Sequence, residues 1–275
     1  MGSGLRAGVV GAGGRMGGWL INHLRGIGYE VEPIDAKDVS MGLVAAFDLV
    51  VVSVPISATP TVVREVAPHM RRGAVLVEIA SLKSGSYPAL LEVSRLGVTP
   101  LCVHPMFGPS TGSLHDRFVA VVPVADPVGE LRRARFLFPG AEFVTLDAGR
   151  HDRCMAVVLS LPYAMNLTFA QILAGEDLTF VSRIAGPTFA LQYTLAQSVA
   201  GESPALIRDL LRENVSLEPL LRDFVGSMEE LVAATADEGA FNALHAEVVK
   251  ALSGDPSFSD ADARRQRAYR AAVGA

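Results

Sequence analysis

Short, mostly apolar and often β-branched runs recur through the first half of the chain. They are spaced by stretches whose apolar positions repeat every three or four residues. The runs fall at 5–10, 29–34, 49–54, 74–80, 99–104, 118–123 and 142–146. Several are apolar at both alternating positions, as expected for parallel strands covered by helices on either side. Thr59 followed by Pro60 reads as a helix N-cap with proline at the first helical position, opening a helix over 60–70. A second helix is expected over 127–138. This alternation predicts an α/β fold with a doubly wound, mostly parallel sheet.

The texture changes after residue 147. From 149 to 273 no segment reads as a strand, and the long segments 154–173, 204–235 and 238–252 carry helical apolar spacing. Pro162 is expected to kink or break the first of them. The division expected is therefore a nucleotide-binding α/β domain over 1–147 and an all-helical domain over 148–275. At 275 residues the chain is long enough for two modest cores.

Composition narrows the function classes. The net charge is −5 and no block of lysine and arginine occurs, so neither nucleic acid nor an anionic membrane surface is an expected partner. No uninterrupted run of 18 apolar residues occurs, so no membrane span is expected. The N-terminus passes straight into the first strand with no secretory pattern, which suits a cytoplasmic protein. Cys102 and Cys154 form neither a disulfide framework nor a CxxC pair, and no His/Cys/Asp/Glu group has metal-ligand spacing. No metal is expected.

The first candidate site follows the first strand. Gly11-Ala12-Gly13-Gly14-Arg15-Met16-Gly17 links that strand to a helix, the context in which a glycine-rich turn cradles a pyrophosphate at a helix N-terminus. Met16 stands where the third glycine of the usual Rossmann fingerprint falls, and Gly17 follows it. Asp35 ends the second strand, where a carboxylate accepts hydrogen bonds from a ribose and repels a 2′-phosphate; Lys37 follows, but no arginine does. NAD rather than NADP is the expected cofactor. Ser53, Val54 and Pro55, ending the third strand, fall where the chain would pass the adenine side of the cofactor.

Two more strand ends carry chemistry. Glu78-Ile79-Ala80-Ser81-Leu82-Lys83 ends one strand, and His104-Pro105-Met106-Phe107-Gly108-Pro109 ends the next. In an open α/β sheet ligands bind outside the carboxyl ends of the strands. Alcohol oxidation needs a group that takes or polarises the hydroxyl proton, and histidine titrates in the right range. Taken with Val52-Ser53-Val54-Pro55-Ile56, Gly112-Ser113-Leu114 and His151-Asp152, these motifs resemble the prephenate dehydrogenase family, especially the dehydrogenase part of the bifunctional chorismate mutase–prephenate dehydrogenases. The likeness covers most of 5–160 and is looser beyond.

The resemblance implies NAD-dependent oxidative decarboxylation of prephenate to 4-hydroxyphenylpyruvate, a step of tyrosine biosynthesis, in a homodimer joined through its helical half. It assigns His104 to the substrate hydroxyl, Ser81 to that hydroxyl or the nicotinamide, and Lys83 to the same corner. Substrate-side candidates are His151, Tyr163, Gln197, Ser198, Arg183 and Arg208. Tyr163 stands where the family usually has a histidine, and Gln197-Ser198 where it has an arginine for a substrate carboxylate. Arogenate or an amino-substituted prephenate therefore stays open as substrate. Two other readings are a β-hydroxyacid-type reductase and a non-catalytic NAD-binding homologue. The first needs a lysine in the helical half, where only Lys250 occurs; the second has no need of His104.

Overall fold

The structure, a computed structural model, describes residues 4–34 and 41–274. Each apolar run becomes a strand: β1 (Arg6–Val10), β2 (Glu30–Ile34), β3 (Leu49–Val52), β4 (Val75–Glu78), β5 (Thr99–Pro105), β6 (Phe118–Val121) and β7 (Glu142–Thr145). They form one sheet in the order β2-β1-β3-β4-β5-β6-β7, parallel throughout except for the antiparallel β5–β6 pair. The first five strands thus end at a common edge.

The lack of polar alternation has a direct cause. Leu49 and Val51 of β3 enter one apolar cluster, and Val50 and Val52 enter the other. Leu76 and Val77 of β4 divide in the same way, as do Cys102 and its neighbours Leu101 and Val103 on β5. Both faces of the sheet are covered, so the central positions of these strands are apolar on both sides.

The connecting helices are α1 (Arg15–Gly26), α2 (Met41–Val44), α3 (Thr59–Val66), α4 (Ser86–Ser94), α5 (Pro127–Leu137) and α6 (Ala148–Met155). Asp126 caps α5 by accepting from Gly129 N at 3.0 Å, and Asp147 caps α6 by accepting from Arg150 N at 2.8 Å. Thr59 differs from its expected place. It is already helical, Ala58 occupies the N-cap, and the Thr59 hydroxyl donates to Pro55 O at 3.1 Å. The short 3₁₀ turn Ile56–Ala58 runs directly into α3, so no extended residue is left for a side-chain cap.

α6 continues through a π-helical turn, Ala156–Ser160, into α7 (Leu161–Leu173). Pro162 neither breaks nor ends this run. It lies in the first turn of α7, immediately after the π turn, where its missing N–H costs least. The run Ala148–Leu173 is long and apolar enough to cross a membrane by length and composition, with mean hydropathy 1.5. The expectation of no such segment rested on uninterrupted apolar runs, and the average tolerates the scattered polar residues here. Its first turns carry the buried polar residues His151 and Asp152.

The remaining helices are α8 (Leu178–Arg183), α9 (Pro187–Ala200), α10 (Pro204–Arg212), α11 (Leu217–Ala234), α12 (Glu238–Leu252) and α13 (Ala261–Val273). The helix expected over 204–235 is thus two, parted at residues 213–216. No strand follows β7 among the described residues. The chain divides into two compact units. One holds Met1–Ala156 with Arg208–Val215, the other Val157–Ile207 with Ser216–Ala275. Within the second, α7 and α9 pack through the edge-on rings of Phe169 and Phe189, and Gln192 Nε2 donates to Asn166 Oδ1 at 2.9 Å. α13 reaches α9 through Arg265, which donates to Thr188 Oγ1.

Candidate active site at the carboxyl edge of the sheet

The turn after β1 has the shape of an anion cradle. Gly11 has φ +87°, and a Cβ there would lie 2.2 Å from Ser53 O, so the turn is open only to glycine. A Cβ on Gly17 would meet Gly11 O at 2.3 Å. Gly17 therefore performs the close helix–strand packing expected of the third glycine, one position late, while Met16 packs against the apolar cluster on that face. Gly13 faces open space, and Gly14 at the N-cap of α1 offers no side chain to the helix's first N–H groups. The residues fit a dinucleotide pyrophosphate: backbone donors exposed, no Cβ in the way, and Arg15 exposed at the first helical position. Ser53, Val54 and Pro55 adjoin this turn, and Ser53 N donates to Val10 O at 2.8 Å. Asp35 and Lys37 lie outside the described residues.

Two and three strands along, β4 and β5 end in a buried polar network. Lys83 and Glu78 are fully buried, with Lys83 Nζ 2.8 Å from Glu78 Oε2 and 2.7 Å from Val103 O. Glu78 Oε1 accepts from Ala80 N, and Cys102 Sγ lies 3.3 Å from Glu78 Oε2. Burial pushes the Cys102 thiol well above its usual range. The ammonium of Lys83 is thus committed to the protein interior and does not hold a corner of an open cleft. Ser81 is half-buried, and its hydroxyl has no partner among the described residues.

His104, at the end of β5, is 6% exposed. Its Nδ1 lies 3.1 Å from Nε2 of His151, whose Nδ1 lies 2.8 Å from Asp152 Oδ1. A carboxylate only accepts, so His151 donates from Nδ1 to Asp152; in the neutral form of His151 its Nε2 then accepts from His104 Nδ1–H. This leaves the lone pair of His104 on Nε2, which has no partner among the described residues. Asp152 is fixed in turn by Lys83 N at 2.8 Å and Ser84 N at 2.7 Å. Burial alone would raise the Asp152 carboxyl, but the bonds from His151, Lys83 and Ser84 outweigh it and the net shift is downward. His104 is held well below its usual range, first by burial, then by the Lys83 charge and His151. The site presents a neutral imidazole with a defined acceptor atom.

Other side chains brace this edge. Trp19 Nε1 donates to Thr111 O at 2.8 Å, and its ring meets Phe107 edge-on, tying the loop after β5 to α1. Asp209, 2% exposed, accepts from both the N and Oγ of Ser57, just past the Ser53-Val54-Pro55 turn. Asn214 Nδ2 donates to Asp152 O at 2.9 Å. Sequence reasoning missed Glu78, Asp209 and Asn214 as contributors. Only Glu78 carried a signal, as a lone carboxylate ending an apolar strand. Of the substrate-side candidates, His151 joins the network. Arg208 is exposed, with its guanidinium 3.6 Å from Asp209. Arg183 ends α8, exposed; Tyr163 is half-buried on α7, and Gln197 and Ser198 are exposed on α9. These four belong to the second unit.

A doubly wound sheet with a glycine-rich anion cradle, followed by an all-helical region, defines a nucleotide-binding protein of the Rossmann class. Residues 25–134 match the family description "Prephenate dehydrogenase, nucleotide-binding domain", and residues 147–248 match "Prephenate dehydrogenase, dimerization domain". The chain belongs to the prephenate dehydrogenase family. It is 32% identical over 216 residues to the 4-amino-4-deoxyprephenate dehydrogenase of Streptomyces pristinaespiralis, covering 76% of this chain and 72% of that one. It is 28% identical over 246 residues to the probable arogenate/prephenate dehydrogenase of Methanocaldococcus jannaschii, covering 81% of this chain. There the chain spans only 55% of the relative's length, little more than half. Its fold is similar to that of Aquifex aeolicus prephenate dehydrogenase solved with hydroxyphenyl propionate and NAD+. That match has a TM-score of 0.70 at 20% identity and covers 92% of this chain and 99% of that one.

Proposed function

We propose that the chain catalyses NAD-dependent oxidative decarboxylation of prephenate to 4-hydroxyphenylpyruvate, serving tyrosine biosynthesis in the cytoplasm. The observation that carries this reading is the Asp152–His151–His104 chain of hydrogen bonds, ending in the unpartnered acceptor Nε2. NAD, when bound along Gly11–Gly17, supplies the hydride acceptor. His104 Nε2 accepts the hydrogen bond of the ring 4-hydroxyl and so stabilises the positive charge that would build on that oxygen as hydride leaves carbon. The C–C bond to the ring carboxylate then breaks, its electron pair aromatises the ring, CO2 departs, and the phenol keeps its proton. Ser81 gives a second contact at the hydroxyl or the nicotinamide. Lys83 acts from behind β5 by keeping His104 neutral, and His151 sets the tautomer.

A substrate carboxylate in a partly dry cleft needs a cation or costs several kcal/mol to desolvate. Arg208 or Arg183, the latter from either subunit of a homodimer, fills the role the family gives to an arginine near Gln197-Ser198. Tyr163, Gln197 and Ser198 add neutral hydrogen bonds. Asp35 favours NAD by bonding the ribose hydroxyls and repelling a 2′-phosphate.

The test follows NADH formation by absorbance with prephenate, arogenate and 4-amino-4-deoxyprephenate, each with NAD and with NADP. Prephenate with NAD is expected to turn over fastest. Faster turnover of either amino compound moves the substrate, and no turnover of any leaves the chain a nucleotide-binding homologue. Asp35→Ala narrows the preference for NAD, since bonds to a charged acceptor are worth about 1.5–3 kcal/mol. Arg208→Ala and Arg183→Ala are measured alongside, and the responsible arginine raises KM for substrate far more than for NAD.

A further inference from the structure

At the opposite edge of the sheet, where β3 and β4 begin, a cleft of about 300 Å³ opens beside α5. Leu49 and Val75, register partners at the starts of these strands, line it together with Leu137. Tyr29 and Phe136 add two rings, edge-on with centroids 6.5 Å apart. The other lining residues are Arg132 and Arg133 of α5. Neither guanidinium has an ion pair or hydrogen bond among the described residues, and no carboxylate lines the cleft. Burial raises the Tyr29 phenol, so it stays protonated and able to donate. The cleft thus offers apolar walls, ring faces and donors, with no acidic group among the residues that line it.

We infer that this cleft is a second ligand site, built for a small aromatic carboxylate. The volume suits a single ring, at the lower end of small-molecule sites. A carboxylate is the planar anion that guanidinium groups hold with paired hydrogen bonds, and the rings of Tyr29 and Phe136 accept an aromatic body edge-on or offset. The site lies a strand's length, about 13 Å for four residues, from the glycine-rich turn and His104. Occupancy of one therefore does not require vacating the other, and the inference is independent of the reaction proposed above.

The test reads Tyr29 directly. The protein is labelled with 3-fluorotyrosine, the Tyr29 line is assigned with Tyr29→Phe, and phenylacetate is titrated with NAD present. The Tyr29 line is expected to move with a Kd of about 1 mM, as befits a ligand of this size. Benzyl alcohol, with the ring but no charge, moves it little at the same concentration. R132Q/R133Q weakens the phenylacetate response at least tenfold. A Tyr29 line unmoved by phenylacetate, moved equally by benzyl alcohol, or moved equally in the double variant overturns the inference. If the double variant fails to fold, the comparison of acid and alcohol on the native chain still decides.

Discussion

A histidine serves as acceptor only while it is neutral, and three features keep His104 so: burial, the Lys83 charge and the neighbouring His151. Because its protonation is pushed below the usual range, kcat/KM is expected to stay level as pH falls through 6.5 and to decline only at more acid pH. His104→Asn is expected to lower kcat by roughly 10²–10⁴, the worth of a positioned base, with NAD affinity nearly unchanged. A retained kcat would return His104 to a packing role. His151→Phe removes both the tautomer lock and one of the groups depressing His104, so kcat falls and the acid limb moves upward. A purely structural His151 would lower kcat without moving that limb. The same shift bears on stability. The unfolded chain binds a proton to His104 at a higher pH than the folded chain does. His104's contribution is therefore complete above its unfolded pKa near 6.5 and is lost as pH falls below it. The acid loss of Tm is expected to be smaller in His104→Asn. Lys83→Ala leaves Glu78 buried and unpaired, which costs about 3–5 kcal/mol and is measured by denaturant titration.

Among elements, the glycine-rich turn separates packing from binding. Gly17→Ala forces a Cβ onto Gly11 O and is expected to destabilise the fold by about 1–3 kcal/mol. Gly13→Ala meets no protein atom, so Tm holds while NAD binding weakens. Equal Tm losses in the two variants would refute this division. The strands were legible because a doubly covered sheet writes an all-apolar run, as at residues 49–52. The π turn before Pro162 was not, since a proline marks only where an N–H is missing and not how the preceding turn adapts. Thr59 misled for a related reason, the 3₁₀ turn before it being invisible in local pattern. The place of His104 at the carboxyl edge of the sheet was legible from its strand-end motif. The role of His151 was not, because it depends on a partner 47 residues away that only the tertiary fold supplies. Lys83 misled because lysine is so seldom fully buried.

Across the whole molecule, the second unit exposes apolar side chains on several helices, among them Ile172 (67%), Leu195 (55%) and Val232 (66%). Exposed apolar surface on this scale marks an interaction face. A dimer of mass twice 29.1 kDa is expected by light scattering, with a Tm that rises with protein concentration. A monomer at all concentrations would leave that surface without its proposed partner.

The return of Arg208–Val215 to the first unit bears on the order in which a nascent chain can mature. Ser57 waits for Asp209, and the Asp152 carbonyl waits for Asn214. On the ribosome, at ~5–20 residues per second, the 51 residues of 157–207 impose a delay of roughly 3–10 s. During that interval the sheet can pair and collapse, but the backbone around its base stays unfastened. The bonds to Asp209 and from Asn214 are thereby the last fastenings of the first unit to arrive, withheld until most of the second half has been made.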